Sequence, residues 1–447
     1  MNDASLHERF DSIVSGLSDL AAVRVQGRIA DLSGLAVDVV GLSNHLSIGD
    51  LVDLRSRSGR LIPAEIVGFR NGCAQAMTYA SADGLGPGAT VQARLQGAGN
   101  TLPVTDGWIG RIIAPLGRPL DRRGPLPRGP CALPTRAAPT EAAMRARLGS
   151  RIDLGVGVLN AFTTCRQGQR LGLFAGSGIG KSVLLAMLSR YTKCDVAVLA
   201  LVGERGREVR EFIEDDLGAE GLARSVVVVA TSDAPPLMRR QAAYTAMTVA
   251  EHFRDAGKSV LLLMDSVTRF CLALREIGLS TGQPPATRGY PPSVFAELPR
   301  LLERAGPGLE NSGKITALFT VLVEGDDHNE PVADAVRGII DGQVVLDRAI
   351  AERGRYPAVD VLRSLSRSVP GCNSTEENAL TRRARALLAL HAEMADLVRL
   401  GAYRAGSDPA VDEAVRIAPR IEALLHQDRG VSVSLADSFR QLQAVFE

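Results

Sequence analysis

The stretch LGLFAGSGIGKS, residues 171–182, holds three alternating glycines (Gly176, Gly178 and Gly180) followed by Lys181 and Ser182. Glycines at this spacing let successive backbone N–H groups turn inward and cradle phosphate oxygens. Lys181 would reach the β- and γ-phosphates of a nucleotide, and the Ser182 hydroxyl would bind Mg²⁺. The strict pattern has glycine where this chain has Ala175. Alanine serves there if the strand ends at that residue with a negative φ. The strand-like RLGLFA precedes the loop and the helix-like SVLLAMLSRY follows it, the context the motif requires. The nucleotide-binding candidates are thus Ala175, Gly176, Ser177, Gly178, Ile179, Gly180, Lys181, Ser182 and Val183. A chance glycine turn is the bland alternative. A serine nucleophile elbow needs glycine at position 175, and the chain lacks it.

Two carboxylates complete a hydrolytic set. Asp265 ends the apolar run SVLLLMD. An acid at the tip of a buried strand is costly unless it meets a charge, and a Mg²⁺ beside Ser182 supplies one. The competing role for Asp265 or Ser266 is a helix N-cap. Glu204 ends another apolar run, in LVGERGREVREF. It can orient or deprotonate a water at the γ-phosphate. Glu208 and Glu211 are rivals by type, placed further along the helix that follows. In GRYPAVDVLRSLSRSVPG, residues 354–371, composition alone makes Arg355, Arg363 and Arg367 ordinary surface arginines.

These groups need an α/β scaffold. VAVLALVG, SVVVVAT, SVLLLMDS and ITALFTVLVEG are nearly continuous apolar runs, as in parallel strands covered on both faces. Before them, residues 21–95 carry short β-type runs with turn signals at Gly34, Gly41, Gly49, Gly59 and Gly68, which reads as a small barrel. Residues 6–20 space Leu6, Phe10, Ile13, Leu17 and Leu20 as an amphipathic helix, packed on its own chain or docking a partner. Residues 115–139 are rich in Pro, Gly and Arg and read as an extended surface connection. Residues 371–447 read as helical. Leu387, Leu390, Met394, Leu397 and Gly401 share one face, and Asp408-Pro409 opens a further helix.

The composition, 45% hydrophobic and 23% charged, is that of a globular protein. A net charge of +1 argues against a dedicated nucleic-acid binder. The lysines are Lys181, Lys193, Lys258 and Lys314 against a large excess of arginine, so the lysine inside the loop stands out. The cysteines are isolated, which points to reduced thiols. No signal peptide and no apolar run of about 18 residues is visible, so the expectation is a cytoplasmic protein, peripheral to a membrane at most.

Together the motifs resemble the catalytic subunits of rotary ATPases, most of all in PAVDVLRSLS, residues 357–366. GYPPSVFAELPRLLERAG (289–306), TVLVEGDDHNEPVADAVRGIIDG (320–342) and LGAYRAGSDPAVDEA (400–414) are similar instead to the type III secretion export ATPases. Within that family GLFAGSGIGKSVLL and GERGREV resemble the flagellar branch. The likeness runs from the barrel to the C-terminal helices, and the family accommodates alanine at position 175. It implies a RecA-like P-loop ATPase core (96–370) with an N-terminal β-barrel domain (21–95) and a C-terminal helical domain (371–447), preceded by a partner-docking helix (1–20). It also implies a homohexamer with ATP between neighbours. In it Lys181, Ser182 and Asp265 keep the roles above, and Glu204 matches the catalytic glutamate with Arg205 as its supporting partner. Arg367 matches an arginine finger reaching the adjacent subunit, and Tyr356 a residue packing on adenine.

The resemblance further implies ATP and Mg²⁺ as cofactors, and export of flagellar proteins with docking and release of chaperone–substrate complexes. Its partners would be a regulatory protein on the N-terminal helix, a central stalk protein and the membrane proteins of an export gate. The chain would work at the cytoplasmic face of the inner membrane. An injectisome ATPase is the near alternative. A proton-driven ATP synthase subunit is disfavoured: Glu204 argues against a noncatalytic subunit and GYPPSVFAEL against a catalytic one. An RNA-translocating ring would need stacking aromatics on its barrel, where only Phe69 and Tyr79 occur. A nonhydrolysing ring protein would not need Lys181, Glu204 and Arg367 together.

Overall fold

The computed structural model describes residues 25–94, 100–323 and 330–447. The helix expected over residues 6–20 lies outside them. The chain packs as two compact units.

The smaller unit is built on a closed barrel of six strands. They are β1 (Gln26–Ser33), β2 (Ala36–Val40), β3 (Leu51–Arg55), β4 (Leu61–Arg70), β5 (Cys73–Thr78) and β6 (Thr90–Ala93), in the order β1-β2-β5-β4-β3-β6. Alternate residues such as Val37 and Val39, Val52 and Leu54, and Ile62, Ala64 and Ile66 fill its interior. Gly34, Gly41, Gly49 and Gly59 take positive φ at its turns. Gly68 does not mark a turn. It sits inside β4 where the pairing with β5 slips between Ile66 and Gly68, a bulge that bends the strand.

The larger unit holds a nine-stranded sheet. Its strands are β7 (Ile112–Ile113), β8 (Arg170–Ala175), β9 (Val196–Glu204), β10 (Ser225–Thr231), β11 (Ser259–Asp265), β12 (Lys314–Leu322), β13 (Gly342–Val345) and β14 (Leu365–Ser366). The order is β14-β13-β8-β12-β11-β9-β10-β7, with Gly306–Pro307 pairing to β12. The pairings from β13 through β7 are parallel. Along β9, Val198, Ala200 and Val202 face one buried layer and Ala197, Leu199 and Leu201 the other, which is why these strands read as unbroken apolar runs. The 115–139 segment is less superficial than its composition suggests. Arg111 grips Asp121 through two hydrogen bonds of 2.6 and 3.0 Å and the Gly124 carbonyl at 2.7 Å, and Thr135 is buried.

Helices flank the sheet: α1 (Lys181–Tyr191), α2 (Gly206–Glu211), α3 (Pro236–Asp255), α4 (Val267–Ser280), α5 (Pro292–Leu302) and α6 (Pro331–Ile339). The chain ends in α7 (Thr375–Arg399), α8 (Pro409–Leu424) and α9 (Leu435–Ala444). Ser374 and Glu377 form a reciprocal capping box on α7. Asp408 caps α8 ahead of Pro409, accepting from the Ala410 N–H. Gly401 departs from the expected helix face. Its φ of +69° ends the helix, with its N–H donating to the Val398 carbonyl. Leu397 before it stays 45% exposed. No described helix is long and apolar enough to cross a membrane.

Candidate active site

Parallel strands put their carboxyl ends on one edge of the sheet, where ligands of such sheets bind. Ala175 ends β8 opposite Leu322 of β12, and Asp265 ends β11 beside Leu201 of β9. Ala175 is 1% exposed and is not among the residues with positive φ, so a methyl group is tolerated there. Of the three loop glycines, Gly178 (φ +77°) and Gly180 (φ +84°) need the left-handed conformation. Gly180 also caps α1, whose first residue is Lys181. The loop and the α1 N-terminus floor a cleft of about 660 Å³ lined by Ser182, Glu204, Arg205, Arg269 and Arg348 among others.

Lys181 is the hub. Its Nζ lies 2.6 Å from Asp265 Oδ1 and 3.6 Å from Glu204 Oε1. Burial disfavours the ammonium, but the Asp265 and Glu204 carboxylates outweigh it and hold the Lys181 pKa above its ordinary value. Asp265 is 4% exposed and also accepts a 2.7 Å hydrogen bond from Thr320 Oγ1. It faces cations and donors at the strand tip, and the capping role falls to Ser266, whose Oγ accepts from the Arg269 N–H. Glu204 Oε1 is buried and accepts no hydrogen bond. Burial, then the Asp265 carboxylate, push its pKa up against the pull of Lys181 and Arg269. A buried acceptor left open beside a lysine, facing a glycine cradle, is suited to receive a proton from a water.

The residues fit a magnesium nucleotide. Hard oxygen donors from Asp265 and Ser182 suit Mg²⁺, and the left-handed glycines leave room for phosphate where a Cβ would stand. At Gly180 an added Cβ would meet the Tyr356 ring at 3.1 Å. Gly180→Ala should therefore cost roughly 1–2 kcal/mol from the forced left-handed conformation and weaken nucleotide binding. Denaturant melts and a binding titration of the variant check both.

Tyr356, 41% exposed, stands over the loop. Arg205 pairs with Glu208 at 3.1 Å, with its side chain largely exposed. Glu208 and Glu211 both engage arginines on the solvated face of α2. Arg355 is not a surface arginine. It is 9% exposed, donates to the Pro357 and Val359 carbonyls and pairs with Glu422 of α8 at 2.8 Å.

Arg367 is exposed and stands outside the cleft of its own chain. It follows β14, and its N–H donates to the Asp341 carbonyl at 2.9 Å. Asp341 in turn bonds the backbone of Arg170, at the start of β8. The phosphate loop begins at the other end of β8, about 16 Å away at about 3.3 Å per residue. Residues the sequence reading passed over are Arg269, on the helix after Asp265, and Thr320. A hydroxyl toward the C-terminal end of the apolar run ITALFTVLV, which also holds Thr316, was the available signal for Thr320.

This fold and cleft define a phosphate-loop ATPase. Residues 155–366 match the ATP synthase alpha/beta family, nucleotide-binding domain, and residues 373–444 match the T3SS EscN ATPase C-terminal domain. The chain is 51% identical to the flagellum-specific ATP synthase of Caulobacter vibrioides, covering 98% of this chain and 99% of that one. It is 46% identical to the type 3 secretion system ATPase of Xanthomonas euvesicatoria, covering 91% and 90%. The assembled ATPase EscN of the enteropathogenic E. coli type III secretion system superimposes with a TM-score of 0.86 at 37% identity, over 94% of this chain and 100% of that one. EscN in complex with its central stalk EscO gives 0.84. The chain belongs to the ATP synthase α/β family, among the ATPases of flagellar and type III secretion systems. The RecA-like core with an N-terminal barrel and C-terminal helices, expected from the sequence, is borne out.

Proposed function

We propose that the chain is a Mg²⁺-dependent ATPase that energises export of flagellar proteins. The observation that carries the site reading is the buried, unbonded Glu204 Oε1 beside Lys181 at the edge of the glycine loop. Its 51% identity to a flagellum-specific relative, against 46% to a secretion relative, favours the flagellar branch over an injectisome.

In this reading the loop N–H groups from Gly176 to Val183 hold phosphate oxygens. Lys181 leaves Asp265 for the phosphate, which frees the Asp265 carboxylate to hold the cation together with Ser182. The cation, when bound, neutralises charge developing on the phosphoryl oxygens. Glu204 orients the attacking water and takes its proton, and Tyr356 packs on the base. Arg367 cannot span β8 to its own loop, so it serves the site of a neighbour in a ring of identical subunits. The relatives' assembled and stalk-bound states support a homohexamer around a central stalk. Docking of chaperone–substrate complexes, a regulatory protein on the N-terminal segment and contact with an export gate at the inner membrane complete the proposal.

The test has two readouts. Purified chain should hydrolyse ATP only with a divalent cation, and Lys181→Ala should lose that activity. In a strain lacking the gene, the wild-type chain but not Lys181→Ala should restore filament assembly. Wild-type hydrolysis without restored motility, in a strain with an injectisome that regains secretion, would move the assignment to the injectisome.

A further inference from the structure

Gln169 is 0% exposed and immediately precedes β8. Its amide is fully engaged. Nε2 donates to the Asp341 carbonyl at 3.1 Å and to Ser366 Oγ at 2.8 Å. Oε1 accepts from the Arg166 N–H at 3.0 Å and from Ser368 Oγ at 2.8 Å. An amide side chain has two donors and an oxygen with two lone pairs, so all four positions are filled. Ser366 and Ser368 are the residues on either side of Arg367. Asp341, the third contact, also receives the Arg367 N–H. Ser366 Oγ itself donates a hydrogen bond to the Thr164 carbonyl at 2.9 Å. One buried side chain, rooted at the foot of the strand that ends in the phosphate loop, therefore holds the serine hydroxyls on both sides of Arg367.

We infer that Gln169 is a positioning residue for Arg367, setting the direction in which its guanidinium leaves this subunit. The inference rests on Arg367 acting in a neighbour's site. A guanidinium that stabilises transition-state charge must be held to within a fraction of an ångström and some 10–20°. Arg367 makes no ion pair of its own among the described residues, so the backbone beneath it has to supply that order. Methionine at 169 would fill the volume and satisfy none of the four partners. Glutamate would lose both donors while charged. Either change leaves buried polar groups unpaired and lets the 366–368 segment rotate.

The decisive experiment uses Gln169→Met in the full chain. We expect kcat to fall about tenfold or more, with the KM for ATP and ring assembly little changed. Mixed rings then separate the finger from the subunit's own site. With Lys181→Ala subunits, the intact phosphate site of Gln169→Met receives an intact Arg367, and turnover should return. With Arg367→Ala subunits both partners carry a defective finger, and turnover should stay low. Rescue by Arg367→Ala rather than by Lys181→Ala would show that Gln169 acts on its own phosphate loop, and would overturn the inference. Mixing Arg367→Ala with Lys181→Ala tests the parent reading separately. No rescue in that pair sinks the finger itself. Rescue there without rescue of Gln169→Met by Lys181→Ala sinks only the positioning role. If Gln169→Met does not fold, Ser368→Ala loosens the same node from its partly exposed side. It should show the same rescue pattern with a smaller loss, and an unchanged kcat would overturn the inference.

Discussion

Arg367→Ala should lower ATP turnover by about 10³-fold or more while rings still assemble and bind nucleotide. A finger supplied in trans is worth about 10³–10⁵ in phosphoryl transfer because it meets charge that appears only in the transition state. Binding is spared because the ground-state contacts come from the glycine loop and Lys181. The geometry decides between self and neighbour. Asp341 anchors Arg367 level with Arg170, and the six residues of β8 separate that point from the loop. Mixing Arg367→Ala with Lys181→Ala subunits should recover part of the activity, since the first retains a sound loop and the second a sound finger. Verified mixed rings that stay inactive would rule out action between subunits.

Glu204→Gln is the second large effect. Turnover should collapse by about 10²–10⁴-fold, the range for loss of a positioned base, with nucleotide affinity nearly unchanged. The pH dependence carries an added signature. Folding raises the Glu204 pKa above its ordinary 4.5 through burial and the Asp265 carboxylate. The acid limb of the wild-type rate should therefore lie above the usual carboxylate range and vanish in Glu204→Gln. The sign for stability is opposite to that of an ion-paired acid. A folded state with the raised pKa binds the proton more tightly than the unfolded chain, so stability falls as pH rises from 4.5 through the raised value. At neutral pH the nucleotide-free Glu204→Gln protein should melt at or above the wild type. A lower melting temperature with unchanged turnover would count against both the raised pKa and the role.

Much of this site is local and was legible as such. The loop, its flanking strand and helix, and the acids at two strand tips follow from apolar runs punctuated by Gly, Asp and Glu. A residue that ends a buried parallel strand has only one edge to occupy. The cap at Asp408 is equally local, because its acceptor and the N–H it serves lie two residues apart. Elsewhere short-range reading misled. Gly68 and Gly401 look like their neighbours in sequence, yet one is a bulge set by the partner strand and the other a helix stop set by its φ. Arg355 looks like Arg363, but a carboxylate on α8 and two carbonyls bury it.

By itself the sequence determined the class of chemistry. Three glycines before Lys181-Ser182, with Asp265 and Glu204 on apolar strands, specify phosphate binding and hydrolysis through backbone preferences that act over a few residues. Only the tertiary structure decided how those groups meet. It joins Lys181 to Asp265 across residues far apart in the chain, leaves Glu204 Oε1 open, and sends Arg367 to the opposite end of β8. Those outcomes depend on strand order and register, which arise from packing the whole sheet.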